Sequence, residues 1–403
     1  MPLIDNLRVM RLSPGRSIPA LCRSLCGARK TEGQNFMKTW SNVVSILLLA
    51  GLCCQGVIAQ HPNETVAGEL GDKLDAHLIR ATSNGFSGTV LVVKDGQVIL
   101  SKGYGLANRE RKIPVTPDTI FDIGSLVKQF TAAAILKLEM KGKLRITDPI
   151  SKYFKNVPPD KATMTLHHLL THTAGFPDAI GDDYEVISRD EYIKRALNTM
   201  LLSAPGEKYK YSNVDYSLLG AIVEMRSGQD YEHYIYNNLF KPAGMSLTGY
   251  RIPKWNPDAI AHNYIGNSDW GTGLSKRWAA DGPYWNLRAN GGMLFTIGDM
   301  YKWMQALAGE RVLPKEVKQK YFTPYVKTPS LPGLDWFYGY GWRIANTPRN
   351  TKIIWHGGDG DAFHSDASWF IDEKVIIIMA TNVAEYKASI VSRQLADIIF
   401  SKA

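Results

Sequence analysis

The chain has 403 residues, 45% of them hydrophobic and 10% aromatic, with 47 Lys and Arg against 38 Asp and Glu. It is too apolar and aromatic for a disordered chain, too poor in Gly and Pro for a fibrous one, and long enough for one large domain or two ordinary ones. A net charge of +9 would suit an acidic partner, so where the charge sits decides what it means.

Much of it sits at the front. Residues 1–59 hold Arg8, Arg11, Arg16, Arg23, Arg29, Lys30 and Lys38 against Asp5 and Glu32, a net +5, which leaves +4 on the other 344 residues. The body therefore gives no reason to expect nucleic acid. All four cysteines, Cys22, Cys26, Cys53 and Cys54, also lie in this stretch, so the body has no disulfide or thiolate chemistry.

The apolar run 43–54 is too short to cross a bilayer, which takes ~20 helical residues, and suits the core of a signal peptide. Met37-Lys38 precedes it as a start with a charged flank, and Val57-Ile58-Ala59 offers small residues for cleavage before Gln60. The expectation is a leader over 1–59 and a body over 60–403. The mature chain would be periplasmic or secreted, with no transmembrane domain. Leu52 before Cys53 is too large for a good lipoprotein site, so a lipid anchor or an uncleaved N-terminal anchor stands second.

After the leader, Ala67, Leu70, Leu74, Leu78 and Ala81 recur every three or four residues and predict an amphipathic helix ended by Asn84-Gly85. Residues 88–93 and 98–104 predict two strands joined at Asp95-Gly96, a strong hairpin signal. From 125 to about 304 the periods are largely helical, as at 131–141, 165–171 and 216–226. Strands return at 337–344, 352–355, 363–371 and 375–381, before a last helix over 384–400.

A lone hairpin is marginal, so the N-terminal pair is expected to join the C-terminal strands. The fold class is then α+β. One antiparallel sheet built from both chain ends, 60–124 and 305–403, is flanked by the terminal helices and carries a mostly helical inserted region, 125–304. A cleft at their junction is the default site.

Three segments could carry chemistry. Ser125-Leu126-Val127-Lys128 opens a helix, and a spacing of three puts the hydroxyl and the amine on one face near the positive end of the helix dipole. A neutral, desolvated lysine can take the proton of a serine nucleophile. Taken alone, the pattern is weak and fits a helix cap followed by a solvated lysine better. Tyr211-Ser212-Asn213 sits in a loop before a helix, where Tyr211 could shuttle a proton and Asn213 could bind an amide or merely cap the helix. Trp355-His356-Gly357-Gly358-Asp359 ends an apolar strand, where glycines admit a substrate backbone and an N–H could meet an oxyanion.

In this order the three motifs resemble the serine β-lactamase and penicillin-binding superfamily, in its class C and DD-peptidase-like branch. The stretches Leu169-Leu170-Thr171-His172-Thr173-Ala174-Gly175, Gly291-Gly292-Met293 and Tyr338-Gly339-Tyr340-Gly341-Trp342 extend the likeness over nearly the whole mature chain. It implies Ser125 as the acylated nucleophile, Lys128 as its activating partner, Tyr211 as proton shuttle and Asn213 as amide binder. The backbone N–H groups of Ser125 and of Asp359, just past Gly358, would form the oxyanion hole. Which of Lys128 and Tyr211 is the base stays open.

His356 departs from the lysine that true β-lactamases of this group carry, and a histidine is only partly charged near neutrality. That keeps peptidase, aminopeptidase and esterase readings open beside β-lactamase. The expected substrate is a small molecule or a peptide, with D-amino-acid peptides of cell-wall origin, β-lactams and short esters as candidates. No cofactor and no metal are expected. The rival reading is a catalytically silent protein of the same fold that binds peptidoglycan or a partner protein.

Other features read as decoys. His167, His168 and His172 have a spacing suited to zinc on a helix, but no His-Glu-x-x-His accompanies them. Gly244-Met245-Ser246-Leu247-Thr248-Gly249 places its second glycine one residue late for a nucleophile elbow. Gly103-Tyr104-Gly105 and Gly271-Thr272-Gly273 lack the third glycine of a dinucleotide site. The aromatics Tyr250, Trp255, Tyr264, Trp270, Trp278, Tyr284 and Trp285 either line the cleft or pack the core.

Overall fold

The computed structural model describes residues 63–276, 278–329 and 335–401. The expected leader and its cleavage site lie outside the described residues.

The first helix, α1 (Gly68–Ser83), buries Leu74 and Leu78 and ends at Asn84, as its spacing requires. The hairpin follows, with β2 (Gly88–Lys94) and β3 (Gln97–Tyr104) after a short β1 (Thr65–Val66). Its turn residues Asp95 and Gly96 have φ of 51° and 79°, the two positive values that a tight two-residue turn between twisted strands demands.

A two-stranded ribbon, β4 (Phe121–Asp122) with β5 (Leu294–Phe295), ties the two ends of the inserted region together. Beyond it come β6 (Val326–Lys327), β7 (Trp336–Tyr338), β8 (Arg343–Asn346), β9 (Lys352–Asp359), β10 (His364–Phe370) and β11 (Val375–Thr381). The nine-stranded sheet runs β1-β3-β2-β11-β10-β9-β8-β7-β6. The ends of the chain meet where Leu91 of β2 pairs antiparallel with Ile378 of β11.

Two expectations change. The run 337–344 is not one strand, because Gly339–Trp342 turns between β7 and β8, closed by the Gly339 N–H on the Trp342 carbonyl at 2.8 Å. Gly341 sits there at φ 76°, and a Cβ on it would lie 2.7 Å from the Lys128 carbonyl oxygen. Only glycine satisfies both the left-handed backbone and that approach. The last helix, α7 (Ala388–Phe400), begins four residues later than its apolar pattern predicts.

One face of the sheet packs Leu74 and Leu78 of α1, and Val391 and Leu395 of α7, against Val90, Val92, Ile377 and Met379. The inserted region forms the second layer. Its central helices are α2 (Val127–Met140) and α5 (Asn213–Ser227), joined by the short α3 (Leu166–Leu170) and by α4 (Arg189–Asn198). In α2, 11 of 14 residues are buried, so the helix is apolar nearly all round and sits inside the molecule. A further helix, α6 (Ile297–Ala308), buries Met300, Trp303 and Met304.

Candidate active site

Ser125 lies in a single 3₁₀ turn, Gly124–Leu126, that leads directly into α2. The turn leaves Ser125 partly open while Lys128, one turn on, has no exposed surface. Lys128 Nζ lies 3.0 Å from Ser125 Oγ, 2.7 Å from Asn213 Oδ1 and 3.0 Å from the Asn290 carbonyl oxygen. Burial pulls the Lys128 amine down to about 7, against the opposing pull of Asp178 and Asp183. A neutral amine fits these partners without a lost bond, since it donates to the two oxygens and its lone pair receives the Ser125 proton.

Asn213 does not cap α5. The Ser212 hydroxyl does so, accepting the Val214 N–H at 3.2 Å and donating to the Pro177 carbonyl at 2.6 Å. Asn213 is thereby free to engage Lys128 through Oδ1, which leaves its Nδ2 as a donor at the cleft it lines.

Tyr211 lies across from Lys128, whose Nζ is 4.9 Å from the ring centroid. Burial raises its hydroxyl above the ordinary tyrosine range, with Ser125 pulling the other way. Its loop is held by His172, which α3 cannot include because the residue takes φ 57°. The His172 carbonyl accepts the Lys210 N–H at 2.8 Å and its Nδ1 accepts the Ser212 N–H at 3.2 Å, so Tyr211 is pinned at both neighbours. The two rings lie 4.3 Å apart.

Asp215 Oδ2 is 2.8 Å from the same His172 nitrogen, and neither residue has exposed surface. Burial drives the histidine well down and the carboxyl well up, so both are neutral and the shared proton sits on Asp215. In the sequence His172 stands out through a metal-like spacing and through the stretch 169–175, neither of which gives it this role. His167 Nδ1 instead meets the Tyr340 hydroxyl at 2.8 Å, and His168 completes the capping box of α3 with Thr165.

His356 is buried behind Tyr211 rather than open to the cleft. Its Nδ1 donates to the Gly357 carbonyl at 2.6 Å and its Nε2 accepts from the Tyr338 hydroxyl at 3.1 Å. Burial, with Arg343 and Lys128 nearby, takes it down to about 3. It is neutral at physiological pH, so the partial charge that its residue type suggests is absent. Gly358 packs so closely that a Cβ would lie 2.1 Å from the Ile123 carbonyl oxygen, and the direction of a Cβ on Gly124 points to the Asp359 N–H at 3.0 Å. These two glycines let the end of β9 lie against the Ser125 turn, bringing the Asp359 N–H beside the nucleophile.

The cleft into which Ser125 opens has about 80 Å³ of internal space, and its lining includes Asp122, Asp183, Tyr184, Leu287, Asp361 and Phe363. Of the aromatic segment, Tyr250, Tyr264 and Trp285 are core residues, while Trp270 packs on Phe363 at the cleft wall. A larger cleft, about 300 Å³, lies on the opposite face of the sheet beside α7, between Trp336, Trp355, Arg349 and Phe400, and holds no member of this constellation. Among the described residues, Glu110, His262 and Asp269 lie close enough together to hold a metal ion; they are outside the cleft lining, and His262 Nδ1 already faces Asp269 at 2.8 Å.

Asp122, Asp183, Asn290 and Asp215 carry no motif of their own. The one readable signal was an acid three residues before Ser125.

An antiparallel sheet made from both chain ends, with a Ser-x-x-Lys turn at the head of a buried central helix, defines the β-lactamase/transpeptidase-like class of proteins. Within it, residues 75–397 match the Beta-lactamase family model, and the chain belongs to that family. It is 28% identical to penicillin-binding protein 4* of Bacillus subtilis over 315 residues, 74% of this chain and 69% of that protein. It is also 28% identical to protein flp of Staphylococcus aureus over 327 residues, 78% of this chain and 63% of that one. The chain thus spans about two thirds of the length of these relatives. The octameric penicillin-binding protein homologue from Pyrococcus abyssi superposes with a TM-score of 0.71 at 28% identity, over 82% of this chain and 77% of that one.

Proposed function

We propose that the chain is an exported serine hydrolase that cleaves an amide or ester bond through an acyl-serine intermediate. The observation that carries this reading is the Lys128 amine, fully buried, brought down to about 7 and 3.0 Å from Ser125 Oγ.

In the forward step Ser125 Oγ attacks the carbonyl carbon and its proton passes to the neutral Lys128 amine. Tyr211 is the weaker candidate for base, because burial keeps its hydroxyl protonated. Its place opposite Lys128 suits it to relay the proton to the departing amine or alcohol. The N–H groups of Ser125 and Asp359 face the developing oxyanion, and Asn213 Nδ2 is free to bind an amide of the substrate. Water then attacks the acyl-serine, with the proton transfers reversed, and frees the acid.

D-amino-acid peptides, β-lactams and short esters all fit this chemistry. Incubating the mature protein with a fluorophosphonate and with a fluorescent penicillin is expected to label wild type and not Ser125→Ala. Equal labelling of both proteins, or none by either probe, would overturn the reading in favour of a silent binding protein.

A further inference from the structure

We propose that the cavity behind the sheet, beside α7, is a second binding site that takes a small arylalkylammonium ion, a flat apolar body carrying one positive charge. It shares no lining residue with the cleft around Ser125, so it does not depend on the acyl-serine reading.

The cavity exists because α7 covers only part of the sheet. Ala388, Val391, Leu395 and Ile399 form the helix stripe that packs into the back core. The neighbouring stripe, Ser389, Ser392 and Ala396, is made of small residues and leaves about 300 Å³ open toward β9 and β10. On the sheet side the wall is aromatic. Trp336 of β7 and Trp355 of β9 meet with ring centres 5.3 Å apart and planes at 80°, a corner that can present a ring face to a cation.

The floor is anionic. Asp366 of β10 lines the cavity with only 1% of its surface exposed. In the register it stands directly opposite Gly357, and the next pair on the same face is Ser368 with Trp355. A Cβ on Gly357 would meet only the Ser365 carbonyl, at 3.6 Å, so no side chain screens the carboxylate from that strand.

Asp366 Oδ1 accepts the Ser368 hydroxyl at 2.7 Å, but among the described residues no Lys, Arg or His forms an ion pair with it. Arg349 is engaged elsewhere, its Nε on Glu373 at 2.8 Å and its guanidinium 3.7 Å from the centre of the Phe400 ring. Arg393 stands exposed at the mouth, with Asp397 one turn further along α7. The charges at the mouth therefore balance, while the one at the floor has no counter-ion. A buried carboxylate in that position is costly. Burial lifts it to about 6, with the Ser368 and Ser392 hydroxyls pulling the other way, so at pH 7.5 it is mainly ionised. An ammonium seated on Asp366 supplies the missing charge while its ring fills the corner between the tryptophans. A neutral ligand gains the walls alone, and an anion is repelled from the floor.

The test is calorimetric titration at pH 7.5 with tryptamine, its neutral analogue tryptophol and its anionic analogue indole-3-propionate. Affinity is expected to fall in that order. The gap between the first two should be about 10- to 100-fold, the range of one hydrogen bond between charged groups. Asp366→Asn keeps the shape and is expected to close that gap by weakening tryptamine alone. Trp336→Ala, at the half-buried wall, should weaken tryptamine by about 3- to 30-fold.

No binding of tryptamine, equal or tighter binding of tryptophol or indole-3-propionate, or an affinity for tryptamine unchanged in either variant would overturn the proposal. The gap between the compounds is read in wild type, so it decides the matter even if Asp366→Asn does not fold.

Discussion

The two faces of the main sheet are built on opposite principles. Behind it, Leu74, Leu78, Val391 and Leu395 meet Val90, Val92, Ile377 and Met379 in an interface of hydrocarbon against hydrocarbon. In front, the same burial is imposed on Lys128, His172 and Asp215, none of which has exposed surface. The back layer gains free energy from every side chain that it hides. The front layer hides groups that resist it, and it holds them by suppressing their charge, by pairing His172 with Asp215 and by surrounding the Lys128 amine with three oxygens.

Stability and reactivity are thus divided between the faces, and the division is open to experiment. The largest effect is expected from Lys128→Met, which keeps the volume and removes the amine. Its kcat/KM should fall by roughly 10²- to 10⁴-fold, the range of a positioned acid–base group. Its thermal midpoint should fall by only a few degrees, since Met fills the volume but leaves Asn213 Oδ1 and the Asn290 carbonyl without their donor. A protein that loses its fold with the amine would break the comparison.

The converse is Leu395→Ala on the back face, expected to cost about 2–5 kcal/mol in a denaturant titration while kcat/KM per folded molecule is unchanged. A matching loss of turnover would show that the faces are mechanically coupled.

The smallest effect is in pH. Burial lowers Lys128 to about 7, and only its neutral form accepts a proton. With an uncharged N-acetyl substrate, kcat/KM should therefore fall about tenfold per unit below that value and level off above it, reaching about half its plateau at pH 7. A limb displaced toward the ordinary lysine range would remove Lys128 as the base.

Much of the back face was legible in the sequence. The three- and four-residue spacing of α1 and the Asp95-Gly96 turn are local signals, and both elements formed where those signals stand. The break at Gly339–Trp342 was hidden inside a continuous aromatic run, because its cause is the close approach of Gly341 to the Lys128 backbone rather than anything nearby in the chain. On the front face the three motif segments do converge around Ser125 and Lys128, whereas the part that His172 plays was not legible. Its distance from His167 and His168 fits one helical face, yet α3 ends at Leu170 and His172 turns inward to hold the Tyr211 loop.

Sequence by itself determined the elements and the Ser125–Lys128 spacing, because helical period, turn conformation and a three-residue offset depend on interactions within a few residues. Only the tertiary structure decided the chemical state of the site. The lowered lysine and the silent His356 arise from burial by segments as distant as the 85 residues to Asn213 and the 162 to Asn290. Desolvation is a property of what surrounds a group in space, so no local pattern records it.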